Sequence, residues 1–376
     1  MWSTMLPEGS ATDAFPHVPD VIMIFGPTDT VIRSALAEDL AARYPDAILT
    51  GCSSGTMVDR HRLDDDATVV LGMGFERTTT RLSVQPLTAL ADSHRAGMAL
   101  GADLADETLA GIFVLSNGLD VNGSALVDGI RQAVGAHVML SGGLAGDGAR
   151  FSDTRVLTKD GWRPDSVAAI GFYGDAIRFA YGSAGGWQPF GPVREISRAD
   201  GCVLHTLDDQ PALELYDRYL GDEATALPAS GLIYPLKIWD PAHPEDRMVR
   251  TLLGIDRDCG SLTFAGDMPQ GWRARLMRGV FDDLVDGADV AVRHAVDHAA
   301  GWGVDPALCL MVSCVGRRLL MGQRTEDELD VVAASLSPQT TLAGFYSYGE
   351  IAPQNASAIP CLHNQTMTIT LMGEAA

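Results

Sequence analysis

One unit recurs three times along this chain of 376 residues, and that recurrence narrows the folds open to it. Each unit is an apolar run, a helix-period segment, a short apolar run, a Gly-rich loop and a closing apolar run. In the first copy Val21-Ile22-Met23-Ile24-Phe25 precedes a stretch over 30–44 whose Val31, Leu36, Leu40 and Ala41 share a helical face. Ala47-Ile48-Leu49-Thr50 then enters Gly51-Cys52-Ser53-Ser54-Gly55, and residues 68–75 close the unit. The second copy runs from Gly111-Ile112-Phe113-Val114-Leu115 through Ser116-Asn117-Gly118 and a helix over 124–134. Val138-Met139-Leu140 leads into Ser141-Gly142-Gly143-Leu144-Ala145-Gly146-Asp147, with a strand over 167–173. The third begins at Cys309-Leu310-Met311-Val312-Ser313, continues with a helix over 325–336 and Thr341-Leu342-Ala343, and reaches Gly344-Phe345-Tyr346-Ser347-Tyr348-Gly349 before a strand over 366–371.

This order predicts an α/β protein of repeated strand–helix–strand units in mixed, partly parallel sheets. In open α/β sheets ligands sit outside the carboxyl ends of strands, where these Gly loops fall. The same glycines could serve turn geometry alone, so the loops do not by themselves prove a ligand site. Between copies two and three lie a strand over 177–182, the loop Gly185-Gly186-Trp187-Gln188-Pro189-Phe190-Gly191-Pro192, strands over 193–199 and 201–206, and a helix over 212–219. Prolines among glycines and aromatics make that loop an irregular, ordered turn. The expected division is a flexible segment 1–20, a domain over 21–200 and a second over 201–376.

Composition removes several classes of function. Hydrophobic residues are 46% and charged ones 20% of the chain, enough for a sizeable core. Lys and Arg number 27 against 49 Asp and Glu, a net charge of −22 that repels phosphate backbones and anionic lipid. Nucleic acid and membrane surfaces are therefore not expected partners. The cysteines Cys52, Cys202, Cys259, Cys309, Cys314 and Cys361 form no C-x-x-C pair, so neither a zinc knuckle nor a disulfide scaffold is indicated. No apolar run approaches the ~18–20 residues of a membrane span, and residues 1–20 lack the basic start of a signal peptide. A soluble, cytoplasmic protein is expected.

An ordered set of motifs resembles the FIST family, a bacterial sensory module of signal-transduction proteins. The matching pieces are Gly51-Cys52-Ser53-Ser54-Gly55, Gly142-Gly143-Leu144-Ala145-Gly146-Asp147, Gly186-Trp187-Gln188-Pro189-Phe190-Gly191-Pro192, Pro211-Ala212-Leu213-Glu214-Leu215-Tyr216, Tyr219-Leu220-Gly221, Phe345-Tyr346-Ser347-Tyr348-Gly349-Glu350-Ile351 and Leu362-His363-Asn364-Gln365-Thr366-Met367. They cover nearly all of the chain beyond residue 20, in the family's order. The resemblance implies an N-terminal and a C-terminal FIST domain and the sensing of small ligands. It extends to stand-alone nitric-oxide-sensing members, which bind haem and regulate a partner histidine kinase.

A haem iron needs an axial donor inside an apolar pocket. His363 is the one histidine within a family motif and is the candidate metal ligand; a structural bond to a loop carbonyl is its alternative role. His205 is a weaker candidate, and His61, between two arginines, reads as solvated. The ligand-binding candidates are Cys52, Ser53, Ser54 and Gly143 in the first two Gly loops, Trp187 in the Pro-fixed loop, Phe345, Tyr346, Tyr348 and Glu350 in or beside the third, and Asn364 next to His363. Aromatics give a pocket flat apolar walls, and a carboxylate there binds a ligand cation or amine. Core packing accounts for Phe345 and Tyr348 equally well. His294 and His298, four apart on a helix with Asp282, Asp283, Asp286 and Asp289, read as a polar face. Asp64-Asp65-Asp66 reads as an exposed turn.

Enzyme signatures are scarce. The chain has two lysines, Lys159 and Lys237, and neither completes a phosphate-binding G-x-x-x-x-G-K-[ST] loop; no G-x-S-x-G elbow is present. The expected function is a non-enzymatic small-ligand sensor, with haem and nitric oxide as its expected cofactor and signal and a histidine kinase as its expected partner. The alternative is an enzyme acting on a small metabolite with Cys52, or with Glu350 and His363, as nucleophile or acid and base.

Overall fold

Each repeat builds one mixed sheet around a single parallel pair of strands. The computed structural model describes residues 1–7, 10, 14–60, 62–227, 229–354 and 357–375. Unit one contains β1 (Trp2–Leu6), β2 (Val21–Gly26), α1 (Thr28–Arg33), α2 (Leu36–Arg43), β3 (Ile48–Ser53), the hairpin of β4 (Met57–Asp59) and β5 (Arg62–Asp64), and β6 (Thr68–Met73). Unit two repeats this with β7 (Thr79–Pro86), α3 (Ser93–Leu104), β8 (Leu109–Ser116), α4 (Gly123–Val134), β9 (Met139–Leu144), the hairpin β10 (Val156–Thr158) and β11 (Gly161–Arg163), and β12 (Ser166–Tyr173).

Unit three opens with β13 (Ile177–Ala184) and is interrupted by an inserted module. The insert holds β14 (Gln188–Asp200), β15 (Val203–Leu207), β16 (Gln210–Pro211), α5 (Ala212–Leu220), β17 (Leu236–Trp239), β18 (Arg247–Arg250), β19 (Leu252–Asp256), β20 (Ser261–Phe264) and β21 (Arg273–Arg278). These strands make one sheet whose pairings are all antiparallel, over a core that includes Leu204, Tyr216, Ile238 and Phe264. The unit resumes with α6 (Phe281–Ala299), β22 (Leu308–Cys314), α7 (Val315–Met321), α8 (Thr325–Ala334), β23 (Thr341–Ser347), the hairpin β24 (Glu350–Pro353) and β25 (Pro360–His363), and β26 (Met367–Glu374).

In all three sheets the parallel pair (β2–β3, β8–β9, β22–β23) is flanked by its unit's closing strand, antiparallel, and then by an opening strand. The far edge is supplied by a different unit. The β4–β5 hairpin of unit one pairs with β23 of unit three, the β24–β25 hairpin of unit three with β9 of unit two, and the β10–β11 hairpin of unit two with β3 of unit one. The three units thus exchange hairpins in a ring, which welds them into one body.

Strands buried on both faces read as continuous apolar runs, as β2, β6, β12 and β22 do. Their inner faces share one core, with Phe25, Val69, Phe113, Ile170, Phe345 and Met372 from all three sheets. Phe25 stacks on Phe345 at 4.7 Å between ring centres. Helices cover the outer faces: Leu36 and Leu40 on Ile22 and Ile24, Leu100 and Ile130 on Ile112 and Val114, Ala291 and Leu329 on Met311 and Ile369. Among the described residues no helix is long and apolar enough to cross a membrane.

Four expectations change. The single helix over 30–44 is two short helices, broken at Ser34 and Ala35. Residues 2–6, assigned to a flexible segment, form β1 paired along its length with β6, and Phe15 is buried. The Pro-fixed loop lies partly within β14, whose pairing with β21 slips between Pro189 and Val193 because proline offers no N–H to the ladder. Residue 200 ends β14 at the turn into β15, so a division there cuts through the insert rather than between sheets.

Candidate functional site

The Gly loops owe their glycines to strand packing. Gly51, Gly142 and Gly344 hold equivalent positions in the second strand of each parallel pair. A Cβ on them would lie 1.9 Å from the Ile24 carbonyl oxygen, 2.0 Å from that of Val114 and 1.8 Å from that of Met311. Only a residue without a side chain lets the strands pass so closely.

Past these glycines the three loops do converge, and they close on one another. Ser53 Oγ donates to the Gly146 carbonyl at 2.9 Å and the Gly146 N–H donates to that of Ser53 at 2.9 Å. Ser54 Oγ donates to the Tyr346 carbonyl at 2.9 Å, and the Leu144 N–H donates to Gly349 at 2.8 Å. A Cβ on Gly55 would meet Gly148 Cα at 2.3 Å. Their meeting point is packed backbone, and the expectation that the loops themselves enclose a ligand does not hold.

The predicted site residues therefore separate. Cys52 sits wholly within the central core, where burial pushes its thiol well up and leaves it a poor nucleophile. Ser53 and Ser54 are spent on the loop junction, Gly143 lies against Val312 and Phe345, and Phe345 is core. The buried Tyr346 hydroxyl donates to Glu328 at 3.1 Å. Asn364 is buried, and neither polar atom of its amide has a hydrogen-bond partner among the described residues. His61 lies outside the described residues. His205 is half-buried on β15, and His298 stacks edge-on to Tyr181. Asp65, in the acidic run, pairs with Arg318.

Glu350 is buried and pairs across the strands with His363. It accepts from Ser347 Oγ at 2.8 Å and Thr366 Oγ1 at 2.9 Å, but burial outweighs these bonds and raises its pKa to about 7. With its oxygens committed and no water-facing surface, Glu350 is poorly placed for acid–base work on a substrate.

Tyr348 is the predicted residue that reaches the apolar cavity. This hollow of about 220 Å³ lies outside the carboxyl ends of β8, β9 and β22, roofed by the inserted module. The three-unit body contributes Leu119, Val121, Leu144, Phe151, Val315 and Tyr348; the insert contributes Cys202, Leu232, Thr251, Leu253, Thr263 and Phe264. Phe151 and Tyr348 stack at 4.5 Å to form one wall. Asp147, from the second Gly loop, fixes that wall: it accepts from the Tyr348 hydroxyl and from the N–H groups of Phe151 (2.8 Å), Ser152 (3.0 Å) and Asp153 (2.9 Å). Burial opposes the Asp147 charge, yet these donors hold its carboxyl below the ordinary range. The Thr251 hydroxyl is buried on the opposite side and has no partner among the described residues.

A second, more polar cleft of about 200 Å³ holds Trp187 and His363, together with Lys237, Arg247, Glu245, Gln354 and Thr366. Trp187 Nε1 donates to the Gln365 carbonyl at 2.7 Å. His363 Nε2 is 3.0 Å from the Ala352 carbonyl and 3.4 Å from Cys361 Sγ. The loop-carbonyl role is the one it occupies. Cys361 was not among the sequence candidates, although a Cys two residues from a His on a strand faces the same way.

These residues do not fit a haem. The apolar cavity contains no histidine. Burial pushes up the thiols of its two cysteines, Cys202 and Cys314, away from the ligating thiolate. The Tyr348 hydroxyl is bound to Asp147. His363 opens on the polar cleft with Nε2 already engaged, and it is not an iron ligand in this arrangement. Among the described residues no group of three His, Cys, Asp or Glu side chains could hold a metal ion.

Family models agree with the motifs, and two solved structures show a weak likeness. A crystal structure of a chorismatase is similar at TM-score 0.36 and 12% identity, covering 99% of this chain and 97% of that one. That of a cyanuric acid hydrolase from A. caulinodans is similar at TM-score 0.20 and 11% identity, over 80% and 99%. No curated protein sequence matches the chain. Family models match over most of its length, and FIST domains are generally small-ligand sensors in signal transduction. The chain belongs to the FIST family, with a FIST N domain over residues 20–210 and a FIST C domain over residues 212–353.

Proposed function

We propose that this protein is a non-enzymatic sensor that binds a small, largely apolar molecule in the cavity between the three-unit body and the insert. The observation that carries this reading is the cavity wall itself. Stacked Phe151 and Tyr348 line it from the body, and Thr251, whose buried hydroxyl has no partner among the described residues, lines it from the insert. An apolar hollow with a few polar groups is the usual form of a small-molecule site. At about 220 Å³ the hollow suits a ligand the size of a small metabolite.

A ligand touching both walls binds best to one arrangement of insert and body, and it shifts the protein toward that arrangement by its difference in affinity. A signalling protein, of which a histidine kinase is the class the family resemblance suggests, then reads the shift. The cavity offers no histidine to a haem iron and its Tyr348 hydroxyl is taken by Asp147, which favours an organic molecule over haem-bound nitric oxide as the signal.

A thermal-shift screen of small metabolites tests this, comparing the natural chain with Leu253→Trp, a change at a half-exposed wall position that fills the hollow. A ligand at about 100 times its Kd stabilises by about 2.7 kcal/mol, a shift of a few degrees for a chain of this size. The shift should vanish in the filled variant. An equal shift in both would place the ligand elsewhere and end the proposal, as would turnover of the bound compound.

A further inference from the structure

We propose that Cys361, held by His363 and Gln354, two residues that line the polar cleft, is a reactive thiolate and a site of covalent modification by small carbon electrophiles. The inference uses none of the apolar cavity's residues and stands apart from the ligand reading.

The placement begins with the strand. β25 is the outer strand of its sheet, so one of its edges is unpaired. Cys361 and His363 are two apart on it and share a face, while Leu362 turns into the helix-covered core. The Ala352 carbonyl can only accept, so the bond at 3.0 Å places a proton on His363 Nε2. Cys361 Sγ is 3.4 Å from the same Nε2 and shares its one proton with that carbonyl. Gln354 Nε2 donates to the sulfur at 3.4 Å, its amide oriented by Ser357 Oγ on Oε1. The sulfur therefore faces two N–H donors, and among the described residues no acceptor for a thiol proton is in reach. Such a setting suits S⁻ and not S–H.

A second observation asks for a negative charge at the same place. The Arg250 guanidinium is buried and, among the described residues, bonds only to neutral groups: the carbonyls of Asp267 (3.2 Å), Leu362 (3.0 Å) and Val249 (3.4 Å) and the Met248 sulfur (2.9 Å). Among the described residues no carboxylate is within ion-pair distance of it. A buried cation without a counter-charge is costly. The acidic groups whose charge acts on Arg250 are Cys361 and Asp267. A thiolate at Cys361, next in the chain to the carbonyl that Arg250 holds, supplies part of the missing charge.

The proton equilibria agree. Burial opposes a Cys361 thiolate, but His363, Arg250 and Gln354 outweigh it and bring the thiol below its ordinary value. Burial opposes the His363 cation too, and Cys361, Ala352 and Glu350 outweigh that. By contrast Cys52, Cys202, Cys309 and Cys314 are all pushed up by burial. Cys361 is also partly exposed, as the fully buried thiols are not.

The step is a conjugate addition to an α,β-unsaturated carbonyl compound. The sulfur lone pair forms a C–S bond to the β-carbon, the C=C π bond opens, and its electron pair takes a proton from solvent at the α-carbon, while the His363 cation returns its Nδ1 proton to solvent and keeps its Nε2–H on the Ala352 carbonyl. A neutral thioether and a neutral imidazole remain, with no oxidant or reductant needed.

N-ethylmaleimide labelling of the folded full chain, read cysteine by cysteine by mass spectrometry across about pH 5.5–8, tests the proposal. Cys259 is the internal control, an exposed thiol. At about pH 6 Cys361 should react roughly tenfold faster than Cys259, despite its poorer access. His363→Gln should slow Cys361 about tenfold and leave Cys259 unchanged. Labelling of Cys361 no faster than Cys259 at about pH 6 would overturn the proposal, and this first comparison decides even if the variant does not fold. An unchanged Cys361 rate in a folded His363→Gln would overturn it as well.

Discussion

Arg317 and Glu328 form an ion pair from which both side chains are wholly excluded from solvent, with Arg317 Nε 2.8 Å from the carboxylate. The remaining polar atoms are used as well. Arg317 donates to the carbonyls of Gly185 and Leu284, and Glu328 accepts from Tyr346 at 3.1 Å. The network joins α7, α8, α6 and the entry to the insert, and it accounts for Tyr346 without a ligand.

Removing one partner should therefore be far worse than removing both. Glu328→Gln leaves an uncompensated buried cation, and a loss of about 3–5 kcal/mol is expected in urea unfolding. Arg317→Met combined with Glu328→Leu should recover a large part of that loss. A double variant as unstable as the single one would show that the network's hydrogen bonds, and not its charges, govern stability.

Gly344→Ala should prevent β22 and β23 from pairing, because the added carbon would lie 1.8 Å from the Met311 oxygen. A loss above about 4 kcal/mol, or no folded protein, is expected. Gly301→Ala, where a Cβ meets nothing within 4 Å, is the control and should be nearly neutral. Comparable unfolding midpoints for the two variants would contradict the close-approach argument.

Glu350 carries a pH dependence whose sign is set by its raised value of about 7. The native state holds this proton more tightly than the unfolded chain. The resulting stabilisation is complete below about 4.5 and disappears as pH rises through about 7. The gap corresponds to roughly 3 kcal/mol at about 1.36 kcal/mol per pH unit. Glu350→Gln cannot titrate, so between about pH 4.5 and 7.5 the natural chain should lose roughly that much relative to the variant. Parallel urea curves at both pH values check this.

Thr251→Val keeps the shape of a cavity-lining side chain and deletes a hydroxyl with no protein partner. Without ligand the variant should be as stable as the natural chain or more stable by about 1 kcal/mol. Affinity for a ligand carrying a polar group should fall about tenfold, the worth of one hydrogen bond to a buried partner. Calorimetric titration of the compound found by thermal shift measures it.

Much of the body was legible before any coordinates. β2, β8 and β22 announce themselves as uninterrupted apolar runs, and the spacing of the Gly loops behind them marks three equivalent units. Those signals are local: a strand buried on both faces needs apolar side chains at every position, wherever it ends up. The ring of exchanged hairpins was not legible, because β4, β5, β10 and β11 are three-residue strands, too short to show a period. Nor was the reason for Gly51, Gly142 and Gly344, since the carbonyl each must pass belongs to another strand.

The sites divide along the same line. Tyr348 and His363 were picked out by residue type and motif, and each does lie on a hollow, though different ones. Leu119, Thr251, Thr263 and Val315 carry no mark in the chain, because a cavity wall is made by residues far apart in sequence that share nothing except position. Cys361 and His363 are adjacent enough to have been paired on paper. What the chain could not show is that Gln354 bonds this sulfur and that a counter-ion-poor Arg250, holding the Leu362 carbonyl next to it, adds its charge to the field there, since the field at a buried atom is the sum over neighbours that only folding assembles.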